Sequence, residues 1–332
     1  MTEMTEMNMY KNYDTTIENA KTYIAKHGVC VIPNILSGDE CKLYINSMWN
    51  TLEYLTEKSE CKITRDDTST WKNFKKLYPI HSMLLQYYKI GHSQFVWNLR
   101  QNEKIVNVFS KLWDTPNDEL LSSFDGLSIH MPPEITNSGY YRSNKWLHID
   151  QSYNKPGLKC IQGFITLFDV NAGDATLKIM ENSHKYHSEF SDKFTYAKTK
   201  YNKDWCKLTS DELDWYSDEK KCEEHNILAS AGSIVLWDSR TIHQGMEPLK
   251  TRPKSNMRGI VYMCMTPRGW STEAQINKKR ETFNNMRMTS HWPHVIKLVG
   301  QNPHTYGSPL PDNLQTFPNP ILTPLGEKLA GF

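Results

Sequence analysis

The strongest constraint on the fold of this chain is a change in its hydrophobic period near the middle. From Phe124 onward, apolar residues such as Leu127, Ile129 and Met131 recur at every second position. Side chains at that spacing lie on one face of a β-strand. Further short segments with strand character cover residues 146–150, 160–170, 175–180, 232–238 and 259–266. The sequence therefore predicts a mainly β core with helices beside it.

The segment before this β region has a mainly helical pattern. Residues 14–123 are expected to form a helical support with one strand at residues 29–33. Ser37 and Glu40 form the S-x-x-E pattern of a capping box, in which the side chain of each residue binds the backbone N–H of the other. The pattern predicts that a helix begins there.

The β region is interrupted once and is followed by a tail. We divide this part of the chain into a core at residues 124–184 and 227–268, an insertion at 185–226, and a C-terminal helix with a proline-rich tail at 269–332. The insertion is polar but rich in aromatic residues, so we expect a mobile lid over a binding site, with a permanently docked helix pair as the alternative. Because all-β domains often exceed about 200 residues, residues 1–332 are interpreted as a single domain.

The composition excludes several classes of protein. The seven cysteines are odd in number and never spaced as C-x-x-C, which argues against a disulfide framework and a structural zinc site. A net charge of +2 is too small to require a nucleic acid partner. No segment approaches the roughly 18 apolar residues of a membrane span, and the first residues show no secretory or transit signal. We therefore expect a cytoplasmic protein without a membrane segment.

Two side chains that can bind a metal lie two residues apart in one predicted strand. His148 and Asp150 project from the same face of that strand, and a second histidine, His243, follows the strand-like segment 232–238. Two histidines and one carboxylate form the facial triad that leaves one face of iron(II) open to a co-substrate and dioxygen. The pair alone is a weak signal, because the same pattern recurs at residues 187–189.

One arginine is well placed to bind a carboxylate near such a metal. Arg258 immediately precedes the apolar segment 259–263, and a guanidinium that is fixed by a strand can bind a carboxylate through two parallel hydrogen bonds. Arg252 is nearer to the distal histidine along the chain, but residues 250–254 have the composition of a loop. We therefore prefer Arg258 as the anchor of a co-substrate carboxylate.

Three further residues are candidates for contacts with the substrate. His130 lies on a strand that should face the core, Arg142 lies in the loop before the His-x-Asp strand, and Arg240 lies just before the distal histidine. Each of the three residues also has an ordinary structural role as the alternative. His130 would be a core histidine, Arg142 an exposed loop residue, and Arg240 the partner of Asp238.

These motifs, in this order, resemble the phytanoyl-CoA dioxygenase family of iron(II)/2-oxoglutarate oxygenases. The resemblance covers roughly residues 15–270. It is carried by residues 28–33, 146–151, 167–169, 182–185 and 243–258. Family members usually have Pro-Gly-Ser-His where this chain has Glu-Asn-Ser-His, but Asn182 tolerates the left-handed backbone conformation that glycine would supply.

The resemblance implies a double-stranded β-helix core of the jelly-roll or cupin-like type. It implies that His148, Asp150 and His243 bind iron(II) and that Arg258 binds the distal carboxylate of 2-oxoglutarate. It further implies a dioxygenase that uses O2 to hydroxylate its substrate, with succinate and CO2 as co-products.

Several questions of function stay open at this point. A small-molecule substrate is the preferred interpretation, although aromatic residues interleave with the basic residues of 193–207, as in some proteins that bind nucleic acid. The sequence is also compatible with a protein substrate, with a non-catalytic jelly-roll binding protein, and with a metal-dependent isomerase or hydrolase of cupin type. Release of succinate from 2-oxoglutarate separates the oxygenase from the last two.

Overall fold

The computed structural model of the protein describes residues 3–80, 83–143 and 145–332, and thirteen strands in these residues form two sheets. The strands are β1 (Tyr10–Lys11), β2 (Val29–Ile32), β3 (Leu84–Leu85), β4 (Leu120–Ser122), β5 (Leu127–His130), β6 (His148–Ile149), β7 (Ile161–Thr166), β8 (Thr176–Met180), β9 (Cys206–Lys207), β10 (Glu224–Ile227), β11 (Ile234–Asp238), β12 (His243–Met246) and β13 (Arg258–Pro267). The first sheet has the order β1-β10-β8-β12-β6-β9. The second has the order β2-β11-β7-β13-β5-β3, with β4 also paired to β13.

The two sheets pack against each other through their inner faces. Leu177 and Ile179 of the first sheet share one buried cluster with Phe164, Val235 and Ile260 of the second. Apart from the parallel pair of β1 and β10, the paired strands are antiparallel. Two antiparallel sheets with interdigitating side chains form a jelly-roll sandwich. The predicted fold class is confirmed, and the sandwich is open, not a closed barrel.

Helices cover the outer face of the second sheet. The α-helices are α1 (Glu3–Met7), α2 (Ala20–His27), α3 (Gly38–Thr56), α4 (Gln94–Arg100), α5 (Glu103–Trp113), α6 (Pro133–Thr136), α7 (His187–Lys193), α8 (Ala197–Lys200), α9 (Ser210–Asp214), α10 (Glu273–Asn284) and α11 (Pro324–Ala330). Segments of 3₁₀ or π helix cover Thr68–Leu77, Ile90–His92, Asn117–Glu119, Ser183–Tyr186, Trp215–Glu219 and Arg268–Trp270. The buried faces of α2, α3, α4 and α5 pack on β2, β7, β11 and β13. The predicted capping box at Ser37 and Glu40 is present at the start of α3.

The N-terminal support contains more strand than its sequence pattern predicts. Within residues 14–123 the structure has β2, β3 and β4, where one strand was expected. β3 and β4 have two and three residues, so neither is long enough to show an alternating pattern. Both are strands only because β5 and β13 supply their hydrogen-bonding partners.

The insertion at residues 185–226 covers the outer face of the first sheet. It contributes β9 and most of β10 to that sheet, so it does not simply interrupt the strands. Phe190, Trp215 and Tyr216 of the insertion are buried against Leu147 and Ile149. These two residues are the sequence neighbours of His148, and their side chains project from the opposite face of the strand. The two sheets thus lie between two outer layers.

The helices give no indication of a membrane segment. None of those in residues 3–80, 83–143 and 145–332 has both the length and the apolar run that crossing a bilayer requires.

Candidate metal centre

A cavity of about 780 Å³ lies between the two sheets. His148 and Gly245 of the first sheet line it, as do Gln162, Trp237 and Arg258 of the second. The volume is within the range of roughly 300–1,000 Å³ that is usual for small-molecule sites. The interior of the sandwich therefore has room for a metal, a co-substrate and a small substrate.

His148, Asp150 and His243 meet inside this cavity. β6 pairs with β12 so that His148 and His243 are direct neighbours, as expected for adjacent strands. The Asp150 Oδ2 atom lies 3.3 Å from His243 Nε2 and 3.8 Å from His148 Nε2. One possible ligand atom from each of the three buried residues lies within 4.8 Å of the others. Two imidazoles and a carboxylate that converge in this way fit a divalent iron ion.

The backbone orients both imidazole rings toward this point. The Nδ1 atom of His148 lies 3.1 Å from the carbonyl oxygen of Trp146, and Nδ1 of His243 lies 2.9 Å from that of Thr241. Because a carbonyl oxygen only accepts hydrogen bonds, each Nδ1 carries the proton. Each Nε2 therefore has its lone pair free for a metal, and the backbone contact fixes the ring.

The protonation states suit metal binding. Burial, together with the neighbouring His243, lowers the pKa of His148 to about 3. Burial alone would raise the pKa of Asp150, but the imidazoles around it hold that pKa below its ordinary value. The Gln162 amide also donates a hydrogen bond of 2.9 Å to Asp150 Oδ2. At neutral pH the cluster thus offers a neutral imidazole at His148 and an ionised carboxylate, the forms that bind metal.

Arg258 lies in the same cavity, on the facing sheet. It is buried at the first position of β13, donates a 2.5 Å hydrogen bond to Ser128 Oγ and lies 5.5 Å from the centre of the Phe164 ring. Within the described part of the chain, no carboxylate forms an ion pair with it. Burial lowers the pKa of this arginine, although the nearby Tyr262 opposes the shift. Its guanidinium is thus held in place and still able to bind an anion.

Arg252 has a different environment. Its guanidinium contacts both Glu134 oxygens, at 2.5 and 2.7 Å, and Asp174 at 3.0 Å. The residue does not line the cavity around the triad. Arg252 therefore holds the loop after β12 against α6 and the turn before β8.

Comparisons with known proteins place the chain in a family. Residues 24–249, more than half of the chain, match the model of the phytanoyl-CoA dioxygenase family. The chain belongs to that family. A protein of Aspergillus versicolor, Ava biosynthesis cluster protein O, is 28% identical over 82% of this chain and 86% of its own length.

Solved structures show the same fold. A hypothetical protein from Escherichia coli, JW0805, is similar over 97% of this chain and 86% of its own, with a TM-score of 0.60 and 14% identity. The GlcNAc-inducible protein GIG2 of Candida albicans is similar over 85% of this chain and 72% of its own, with a TM-score of 0.50 and 12% identity.

Family membership and the donor set together define the cofactors of this phytanoyl-CoA dioxygenase family member. It is a 2-oxoglutarate-dependent oxygenase of the iron-binding class, with iron(II), 2-oxoglutarate and O2 as its cofactors. The two imidazoles and one carboxylate would hold the iron, and a triad of this kind would leave ligand positions for the co-substrate and O2.

The three residues predicted to contact the substrate lie outside the cavity lining. His130 is buried on β5, and its Nε2 atom lies 3.0 Å from the Gly139 carbonyl oxygen. Arg142 is exposed. Arg240 is paired with Asp238 at 2.6 Å, which is the ordinary role that its sequence position also allowed. None of the three is brought next to the metal ligands.

The cavity wall includes residues that the sequence patterns did not single out. Ile80, Met83, Leu84 and Gln86 come from the N-terminal support, Asn202 to Trp205 from the insertion, and Ser290, His291, Trp292, Lys297 and Val299 from the C-terminal tail. None of these segments shows a recognisable periodicity. His291 of this tail also contacts the backbone of Asp150, with its Nε2 atom 3.2 Å from the Asp150 carbonyl oxygen.

The packing of the insertion supports a docked layer more than a mobile lid. We expect the amides of α7 and β9 to exchange with solvent deuterium as slowly in the free protein as those of β8, because Phe190 and Cys206 are buried. Hydrogen-exchange mass spectrometry with and without 2-oxoglutarate checks this, and the exposed residues around Tyr306 provide a fast-exchanging reference. Fast exchange across residues 187–207 that slows on ligand binding would favour the lid.

Proposed function

We propose that this protein is an iron(II)- and 2-oxoglutarate-dependent hydroxylase of a small molecule. In this proposal His148, Asp150 and His243 bind the iron, and Arg258 binds the distal carboxylate of 2-oxoglutarate. The observation that carries it is that three side chains able to bind a metal and one arginine without a carboxylate partner face one cavity.

The residues of the chain have separate tasks in this reaction. Iron(II), 2-oxoglutarate and O2 supply, when bound, an oxidant strong enough to attack an unactivated C–H bond. Arg258 would hold the distal carboxylate of the co-substrate through charge-assisted hydrogen bonds. Gln162 holds the Asp150 carboxylate in one rotamer. The apolar and aromatic walls keep bulk water away from the reacting atoms.

The charge distribution favours a small molecule over nucleic acid. In the basic cluster of residues 193–207, Lys193 pairs with Glu219 at 2.5 Å and Lys200 with Glu212 at 3.1 Å. Lys193 and Lys200 are thus neutralised within the insertion, which reduces the number of cations that could contact the phosphates of a nucleic acid. The name of the Aspergillus relative, which refers to a biosynthesis cluster, also supports a small molecule.

The cysteines bear on where the protein works. All seven are free and buried, and all lie in the described part of the chain. Proteins of reducing compartments keep their thiols unpaired. We therefore propose a cytoplasmic location.

The experiment for the proposed function couples two measurements. The protein is incubated with iron(II), ascorbate, 2-oxoglutarate and a pool of small metabolites in air, and succinate and product masses are followed by mass spectrometry. We expect succinate in step with a product that is heavier by one oxygen atom. Succinate coupled to a product of unchanged mass would indicate epimerisation instead of hydroxylation. Succinate coupled to a product that is lighter by two hydrogen atoms would indicate desaturation or ring closure. Absence of succinate with every pool would contradict the oxygenase assignment.

A further inference from the structure

Several large aromatic side chains line the part of the cavity that the metal ligands and Arg258 leave free. Four of the ten tryptophans line it, namely Trp146, Trp205, Trp237 and Trp292. Trp146 stacks on His148 with ring centres 4.8 Å apart, and Trp237 lies 5.4 Å from the His243 ring. Aromatic surface therefore lies beside both metal-binding imidazoles.

Trp205 has the properties of a binding platform. Its side chain is 55% exposed, although it lines the cavity and its ring centre lies only 5.7 Å from that of His148. A large apolar ring left uncovered beside a reaction centre gains free energy when a ligand covers it.

The backbone holds this tryptophan firmly in place. Trp205 immediately precedes β9, which pairs with the strand of the first metal ligand through Lys207 and His148. The preceding residue, Asp204, binds Lys155 at 2.8 Å and accepts a hydrogen bond of 3.2 Å from the Ser152 N–H. A platform fixed on both sides costs little entropy when a ligand binds.

The charges of the lining leave little net attraction for an anionic substrate. Arg258 is reserved for 2-oxoglutarate in the proposed function. Lys297 is paired with Asp204. The remaining charged side chains outside the triad are one cation, Lys203, and one anion, Asp125. A phosphate-bearing or strongly acidic substrate would need a surplus of cations here.

Asp125 offers a hydrogen-bond acceptor within the aromatic wall. Its Oδ1 atom accepts a hydrogen bond of 2.7 Å from the Gly126 N–H, and no other donor in residues 3–80, 83–143 or 145–332 contacts the carboxylate. Burial raises the pKa of this group. A partly buried carboxyl with one backbone contact can satisfy its remaining oxygen with a ligand N–H or O–H.

We propose that the substrate is a small, flat, uncharged ring compound that carries one hydrogen-bond donor, with its ring against Trp205 and its donor on Asp125. The inference rests on the proposed function, because it concerns the same cavity. It defines the substrate class by the chemistry of the wall.

Three probes test the ring contact with Trp205 and the hydrogen bond to Asp125 separately. 2-Naphthol has a flat ring and a donor, 2-methoxynaphthalene lacks the donor, and decahydro-2-naphthol lacks the flat ring. Their dissociation constants are measured by calorimetry on the protein loaded with iron(II) and 2-oxoglutarate without oxygen. We expect 2-naphthol to bind about tenfold more tightly than either analogue. Equal affinity for all three, or no binding of 2-naphthol, would overturn the proposal.

Variants assign the two contacts. Trp205→Ala is expected to weaken 2-naphthol binding about tenfold, and Trp205→Phe only slightly. Asp125→Ala should weaken the binding of 2-naphthol but not that of 2-methoxynaphthalene. Trp270→Ala is the matched control, because this tryptophan is 44% exposed and does not line the cavity. An effect of Trp270→Ala as large as that of Trp205→Ala would overturn the assignment.

The same samples distinguish a wrong substrate class from a wrong proposed function. Iron stoichiometry and the affinity for 2-oxoglutarate are measured before the probes are added. If both are normal and the probe pattern is absent, the substrate class is wrong and the proposed function stands. If iron or 2-oxoglutarate does not bind, both inferences fall together.

Discussion

Replacing His148 or His243 with alanine is expected to remove stoichiometric iron(II) binding and to lower succinate formation by at least about 1000-fold. Each variant leaves two ligands where the geometry requires three, and the two imidazoles are already preoriented by the carbonyl oxygens of Trp146 and Thr241. Asp150→Ala should have the same effect, because it removes the charged ligand. Iron content is measured by elemental analysis and turnover by succinate release.

The control for this prediction is His304→Ala, since His304 is exposed and does not line the cavity. Circular dichroism and thermal unfolding establish that each variant is folded. A folded His148→Ala or His243→Ala variant with full iron content and unchanged turnover would show that the three residues are not the metal ligands.

Arg258→Ala is expected to raise the apparent constant for 2-oxoglutarate by about 30- to 1000-fold, which corresponds to about 2–4 kcal/mol for a bidentate charge-assisted contact of a buried arginine. The constant for Arg258→Lys should lie between those for Arg258→Ala and the wild type, because lysine keeps the charge but lacks the planar guanidinium. The constant is obtained by titrating 2-oxoglutarate and following succinate.

Arg252→Ala is the matched comparison. Because Arg252 pairs with Glu134 and Asp174, its loss should lower the free energy of unfolding by about 3 kcal/mol and leave the affinity for 2-oxoglutarate nearly unchanged. Denaturant unfolding measures the first effect and the same titration measures the second. A large change in the 2-oxoglutarate constant for Arg252→Ala, with little for Arg258→Ala, would exchange their roles.

Local patterns in the sequence determined the elements that carry the triad. The alternation around His148 places it on the inner face and Leu147 and Ile149 on the outer face, and the structure has this arrangement. Asn182 adopts the left-handed conformation expected of it, with a φ of 69°. Such features depend on a few neighbouring residues, because periodicity and turn chemistry are short-range properties.

The tertiary structure alone decided which other residues share the cavity with the triad. Trp205 and Trp292 lie in segments without periodicity, and they reach the cavity because β9 pairs with β6 and the tail folds back beside Asp150. His130 and Arg240, although close to strand ends, bind the Gly139 carbonyl and Asp238 instead. Strand pairing and the path of the tail join residues that are distant along the chain, and no local pattern encodes such pairings. The sequence patterns by themselves therefore determined the mainly β core and the faces of the metal-binding strand, and the family resemblance implied the jelly-roll class. Packing between distant segments decided the shape, aromatic lining and charge of the cavity.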